Sequence, residues 1–164
     1  MDRTTNLLGA LALAITDRIK SGMKNTFDRS GETAAAIVVL GYAPGLSVEI
    51  LRQVLDLSHT GTVRLIDRLE EDGLVERRKA DDGRAVALHL TAKGSKLRQR
   101  LMDRRLDTLE AALNGLSTDE RLVLGNLLAK VLAKLPESEM AKHRICRLCA
   151  VKSCVDCPIP GRAI

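Results

Sequence analysis

Between residues 47 and 91 the hydrophobic period of this chain changes, and that change limits the folds open to it. Ser47 opens a short helical run that ends near residue 54. After Asp56 and Leu57, Ser58 opens a longer helix running to about residue 72, and Gly73 stands at its stop. A serine at a helix start accepts a hydrogen bond from an otherwise orphaned N–H, and a glycine at the end takes the left-handed turn. Residues 74–78 then read as a strand, Asp82-Gly83 as a hairpin turn, and Val86, Leu88 and Leu90 alternate with Ala85, Ala87 and His89. Alternation of this kind marks a half-buried strand. Helix, turn, helix and two-stranded hairpin, in that order, predict a winged helix-turn-helix, whose second helix enters the major groove of DNA.

The flanks are helical. Residues 5–28 place Leu8, Leu11, Ile15, Ile19 and Met23 on one face, residues 32–40 form a second apolar helix, and residues 41–45 a turn with Pro44. Thr91 caps a long helix to about residue 113, and Ser117 with Glu120 forms a capping box for another that ends near residues 135–136. The predicted fold class is therefore mainly α with a small β-wing. Residues 1–136 make the winged-helix and dimerisation domain, and residues 137–164 a polar linker (137–145) with a cysteine-rich tail.

Composition fits a helical core. Some 45% of residues are apolar, yet Phe27 and Tyr42 are the only aromatics. Leu, Val, Ile and Ala must fill the interior, and the stacking platforms needed for single-stranded nucleic acid are missing. A net charge of +5 favours an anionic partner. The apolar run 7–15 is too short for a bilayer, and Asp17, Arg18 and Lys20 follow it where a cleavage site would stand. A cytoplasmic location without a membrane partner is expected.

On the second helix, Val63, Ile66 and Leu69 are expected in the core, continued by Leu74 and Val75. Ser58, His59, Thr60, Thr62, Arg64 and Arg68 form the polar side. Arginine forks to guanine, threonine methyls touch thymine, and hydroxyls reach phosphates. The competing reading pairs Arg64 and Arg68 with acids nearby. Gly61 costs about 1 kcal/mol in a helix but allows close approach of the backbone to DNA. Residues 97–113 and 120–135 carry more leucine than a lid on a small domain needs, so burial between two copies is the simplest account.

The stretch LSHTGTVRLIDRLEEDGLVERRKADDGRAVALHLTAKG, residues 57–94, resembles the MarR family of winged-helix regulators. The resemblance rests on "DRLEEDGLVER", on Asp82-Gly83-Arg84 and on the exit "LTAKG", and the order of helices extends it to about residues 5–135. It implies a homodimer with interleaved N- and C-terminal helices, a pseudo-palindromic double-stranded operator, and usually repression. It also implies that Asp82 braces the wing, that Arg84 enters the minor groove, and that Ser58, Thr60, Thr62 and Arg64 face the bases. Narrow minor grooves attract arginine. Gly83 departs from the family, which often carries a second basic residue there. A small phenolic or lipophilic effector is implied too, but the scarcity of aromatics leaves it unnamed.

All four cysteines lie in the tail: Cys146, Cys149, Cys154 and Cys157, spaced C-x2-C-x4-C-x2-C before Pro158. Four thiolates suit tetrahedral zinc, with Arg144, Arg147, Lys152 and Arg162 to offset the charge. An iron–sulfur cluster is the alternative: Cys157-Pro158 matches the end of ferredoxin runs, although the spacing differs. A metal-free thiol redox switch is the third reading. His143 is a further possible ligand, but four cysteines already suffice. A four-cysteine zinc site is closed to substrate. No P-loop, glycine-rich dinucleotide loop or paired catalytic carboxylates accompany it, so no enzyme is expected. The sequence predicts a DNA-binding transcriptional regulator responsive to metal or redox state through its tail. An adaptor docking through a zinc knuckle and a thiol oxidoreductase are the alternatives.

Overall fold

The computed structural model describes residues 2–27, 31–79, 86–151 and 156–159. In chain order the elements are α1 (Arg3–Thr26), α2 (Gly31–Tyr42), α3 (Val48–Leu55), α4 (His59–Glu71), β1 (Val75–Lys79), β2 (Val86–Leu90), α5 (Ala92–Leu113), α6 (Thr118–Leu132) and α7 (Glu139–Cys146). The strands pair antiparallel, with Val75 opposite Leu90 and Lys79 opposite Val86. This is a mainly helical winged helix-turn-helix.

The helix starts are those the serines and threonines dictate. Ser47 accepts from the Ile50 N–H at 3.2 Å, Ser58 from Gly61 at 3.1 Å and Thr91 from Gly94 at 3.1 Å. Ser117 and Glu120 close a reciprocal capping box. At the end of α4 the chain turns left-handed at Gly73, with φ at +67°. The Gly73 N–H donates to Glu70 O and the Leu74 N–H to Leu69 O, both at 2.8 Å, so two terminal carbonyls of α4 are satisfied as the chain enters β1.

α2 is apolar on every side and sits at the centre, with residues 33–40 all buried. Leu51 and Val54 of α3, Ile66 and Leu69 of α4, Val75 and Leu88 of the wing, and Leu97 and Leu101 of α5 close around it. Leu46 bridges to Leu88 across the base of the wing, with the Leu88 N–H donating to Leu46 O at 2.9 Å.

Three expectations change. The core face of α4 is Thr62, Leu65, Ile66 and Leu69, while Val63 is half-buried. Positions 62, 65, 66 and 69 share one helical stripe, and the hydroxyl at 62 hides its membership. β2 buries both Ala87 and Leu88, leaves Val86 exposed and leaves His89 and Leu90 half-buried, so its burial does not follow simple alternation. The expected linker 137–145 is largely helix α7, capped by Ser138 and packed on α3. Met140, His143 and Cys146 lie along its inner side, and a histidine amid that stripe disguises the pattern.

α6 buries nothing within one chain, and Leu7, Leu8, Leu11 and Leu13 of α1 are exposed. Leu97 and Leu101, counted with the surplus leucine, belong to the core.

Candidate nucleic-acid interface

α4 presents Ser58, His59, Thr60, Arg64 and Arg68 to solvent. Thr62 is not among them: it is 0% exposed, and its Oγ1 donates to Ser58 O at 3.0 Å. Its part is to hold the first turn of α4. Gly61 lies beside the cap, where an added Cβ would meet only Ser58 Oγ, at 3.0 Å. Asp82 and Arg84 lie outside the described residues.

Two of the acids next to the α4 arginines, Asp67 and Glu70, are engaged elsewhere. Arg77, on β1, donates through Nη2 to Asp67 Oδ1 at 2.6 Å and through Nη1 to Glu70 Oε2. The Arg77 N–H also reaches Glu70 Oε1 at 3.4 Å. Asp67 and then Glu70 raise the guanidinium above its ordinary pKa, so this cross-link of wing to α4 keeps its charge. Such a strand-to-helix brace is invisible to helical spacing, and the sequence reading missed it. Arg64 pairs with no acid among the described residues, and Arg68 turns its Nε to Arg64 O at 3.1 Å. The arrangement that would have made these two arginines merely structural is absent among those residues.

Two other arginines nearby, Arg52 and Arg78, are matched. Arg52 is held by both carboxylate oxygens of Glu49, at 2.9 and 2.7 Å. The Arg52 hydrogen bonds, and then Gln53, draw the Glu49 carboxyl down to about 2. Arg78 pairs with Glu76. Among the described residues of this region, Arg64 and Arg68 of α4 and Lys79 of β1 are exposed cations with no acid partner.

Residues 27–85 match the family model described as MarR family. The winged helix of this chain is similar to that of the MarR family. Transcriptional repressor MprA of Escherichia coli K12 is 34% identical over 86 residues, covering 52% of this chain and 49% of MprA. The chain thus spans about half the length of the curated relatives it matches. Among solved structures, a MarR family protein from Bacillus stearothermophilus has a TM-score of 0.72 at 24% identity, covering 82% of this chain and 98% of that one. MepR, a transcription regulator of the Staphylococcus aureus multidrug efflux pump MepA, scores 0.69 at 20% identity and covers 80% of this chain and 98% of its own. Streptococcus pneumoniae FabT, solved in complex with DNA, scores 0.67 at 22% identity over 79% of this chain and 93% of FabT. These likenesses establish the fold.

In the tail, Cys146 is buried at the end of α7, and Cys149 and Cys157 are half-buried free thiols. The Cys149 N–H donates to Cys146 O at 2.8 Å, closing the first CxxC into a turn. Cys154, Lys152 and Arg162 lie outside the described residues. Among the described residues no three His, Cys, Asp or Glu side chains gather into a metal-holding group. Arg144, expected to offset thiolate charge, is paired with Asp56 instead. His143 is buried in α7.

Proposed function

We propose that this chain is a sequence-specific, double-stranded DNA-binding transcriptional regulator, acting as a homodimer and as a repressor. The carrying observation is the exposed face of α4, with Arg64 and Arg68 unmatched by acid among the described residues and the helix braced to the wing by Arg77. A helix so presented fits the major groove, and a wing beside it reaches the neighbouring minor groove. Wing residues Asp82 and Arg84 keep the roles that the family resemblance implies. MprA, named a transcriptional repressor, supports the sign of regulation.

Dimerisation is supported by the leucines left uncovered on α1 and α6. They border an apolar groove of about 710 Å³ lined by Leu8, Leu11, Ile15, Leu109, Leu124 and Leu128. Two copies would carry two reading heads to a pseudo-palindromic site. Among the described residues no helix is long and apolar enough to cross a membrane. No enzymatic step is assigned to the fold. The tail is the sensing element of this reading: four cysteines take zinc, with an iron–sulfur cluster as the alternative. Their spacing and the turn already formed by Cys146 and Cys149 support it.

Two variants test the DNA interface. Arg64→Ala is expected to relax base preference at one position of each half-site, by about 1–3 kcal/mol of discrimination. Arg84→Ala is expected to weaken all duplexes alike and to flatten the salt dependence of binding. Fluorescence anisotropy on matched and mismatched duplexes measures both. Unchanged affinity and preference in both variants would remove α4 and the wing as the contact surface.

A further inference from the structure

α7 is fastened to the turn between α3 and α4. Arg52 O accepts from both the Asp56 N–H and the Leu57 N–H, the latter at 3.1 Å. The Gln53 carbonyl, near the end of α3 where helical donors run out, accepts instead from Arg144 Nε at 3.0 Å. Arg144 Nη2 pairs with Asp56 Oδ1 at 2.8 Å. Asp56 is the cap of α3, left-handed at φ +58°, and Ser58 caps α4. Within the turn, Arg52 Nη1 donates to Leu57 O at 3.3 Å. The connection from α3 to α4 is thus held by one arginine from α3 and one from α7, and the second places a cation at the negative end of α3.

The helix that carries Arg144 is itself seated. α7 packs on α3, with His143 and Cys146 buried and with Met140 and Leu148 against the main core. Ser138 caps α7 at one end, and Arg147 Nη1 donates to Arg144 O at the other. The Asp56 side chain is 72% exposed, and an ion pair so open to water holds little by itself. The carbonyl contact and the packing of α7 supply the rest, because a planar fork carried on a seated helix loses little freedom on closing.

We propose that Arg144 is a positioning residue for DNA binding: it fixes the turn from which α4 leaves α3, and so the angle at which α4 is presented, without touching the duplex. The proposal rests on the reading of the chain as a DNA-binding regulator. α4 carries the exposed Arg64 and Arg68, and its cap, Ser58, lies just beyond Asp56. Arg68 stands about 15 Å along α4 from that cap, so a tilt of about 5° at the turn displaces it by about 1 Å. Such a shift takes a hydrogen bond outside its working range. α7 thereby contributes to duplex affinity from outside the winged helix.

The test compares wild type, Arg144→Gln, Asp56→Asn (an amide that still accepts the left-handed backbone) and the double variant, all as full chains. The probe is the duplex that wild type enriches from a random library. Each single variant is expected to bind it about fivefold more weakly. The double variant is expected to fall within about twofold of either single one, because both changes open the same contact. The log–log salt slope is expected to keep its wild-type value throughout, since no phosphate contact is lost. Without DNA, amide hydrogen exchange at Leu57, Gly61 and Thr62 is expected to quicken in the variants while the amides of α2 exchange as in wild type. Affinities equal to wild type, or losses that add in the double variant, would overturn the proposal. So would a salt slope lower by about 1 in Arg144→Gln alone, which would make Arg144 a phosphate contact itself. A wild type that binds no duplex removes the regulator reading instead, and the exchange comparison still decides whether Arg144 holds the turn.

Discussion

Replacing Gly94 by alanine is expected to unseat the wing and destabilise the fold by about 1–3 kcal/mol, the usual cost of forcing volume into a packed site. A Cβ at this position would stand 2.0 Å from Leu74 O, 3.0 Å from the Leu74 carbonyl carbon and 3.3 Å from Leu90 Cδ2. The obstacle is backbone, so no rotamer relieves it. That same carbonyl accepts from the Thr91 N–H at 3.0 Å, while Thr91 Oγ1 donates to Gly73 O at 2.7 Å. The first turn of α5, the stop of α4 and the entry to β1 are thus tied at one point, and pushing Leu74 displaces all three. Denaturant unfolding would show a lower midpoint with an unchanged slope. A variant as stable as wild type would mean that α5 does not approach Leu74 so closely. Sequence inspection alone would have read Gly94 as a weak spot in a helix, since glycine ordinarily costs about 1 kcal/mol there.

The second large effect is expected at the uncovered leucines. Leu11 of α1 is 51% exposed and Leu128 of α6 40% exposed, yet both border the same apolar groove. In a single chain Leu128→Glu would cost little, because the carboxylate keeps access to water. In a dimer closed over this groove it buries an unpaired charge, a cost of roughly 3–5 kcal/mol for each site left unmatched. Sedimentation is expected to shift from dimer to monomer. Operator affinity is expected to fall well over tenfold, since one reading head then contacts one half-site. A wild-type chain that sediments as a monomer, or a Leu128→Glu chain that stays dimeric and binds normally, would contradict this assignment of the face.

The parts of this molecule set by local chemistry were readable in advance. Ser47, Ser58, Thr91 and Ser117 each cap the helix they were expected to cap, because a cap is a contact over three residues of sequence. The left-handed stop at Gly73 is local in the same sense. What escaped depends on contacts distant in sequence or on side chains of mixed character. Thr62 carries a hydroxyl that can be satisfied by its own helix, so a residue read as polar and available serves as core. Arg77 finds Asp67 and Glu70 ten and seven residues back only because β1 folds against α4. α7 was hidden by charged and histidine residues along it, and the α3 partner of Arg144, Gln53 O, lies ninety-one positions away. For the DNA interface, Arg64 and Arg68 were legible as candidates. Their freedom from acid partners among the described residues became visible only with the acids placed.

The most direct test of the account is selection of duplexes from a random library by the purified full chain, followed by affinity measurement on the winner at rising salt. Enrichment of a pseudo-palindrome with two half-sites, and a log–log salt slope falling by roughly 0.9 per phosphate contacted, is the expected result. Recovery of no sequence above background, with no salt-dependent binding to duplex DNA, would contradict it.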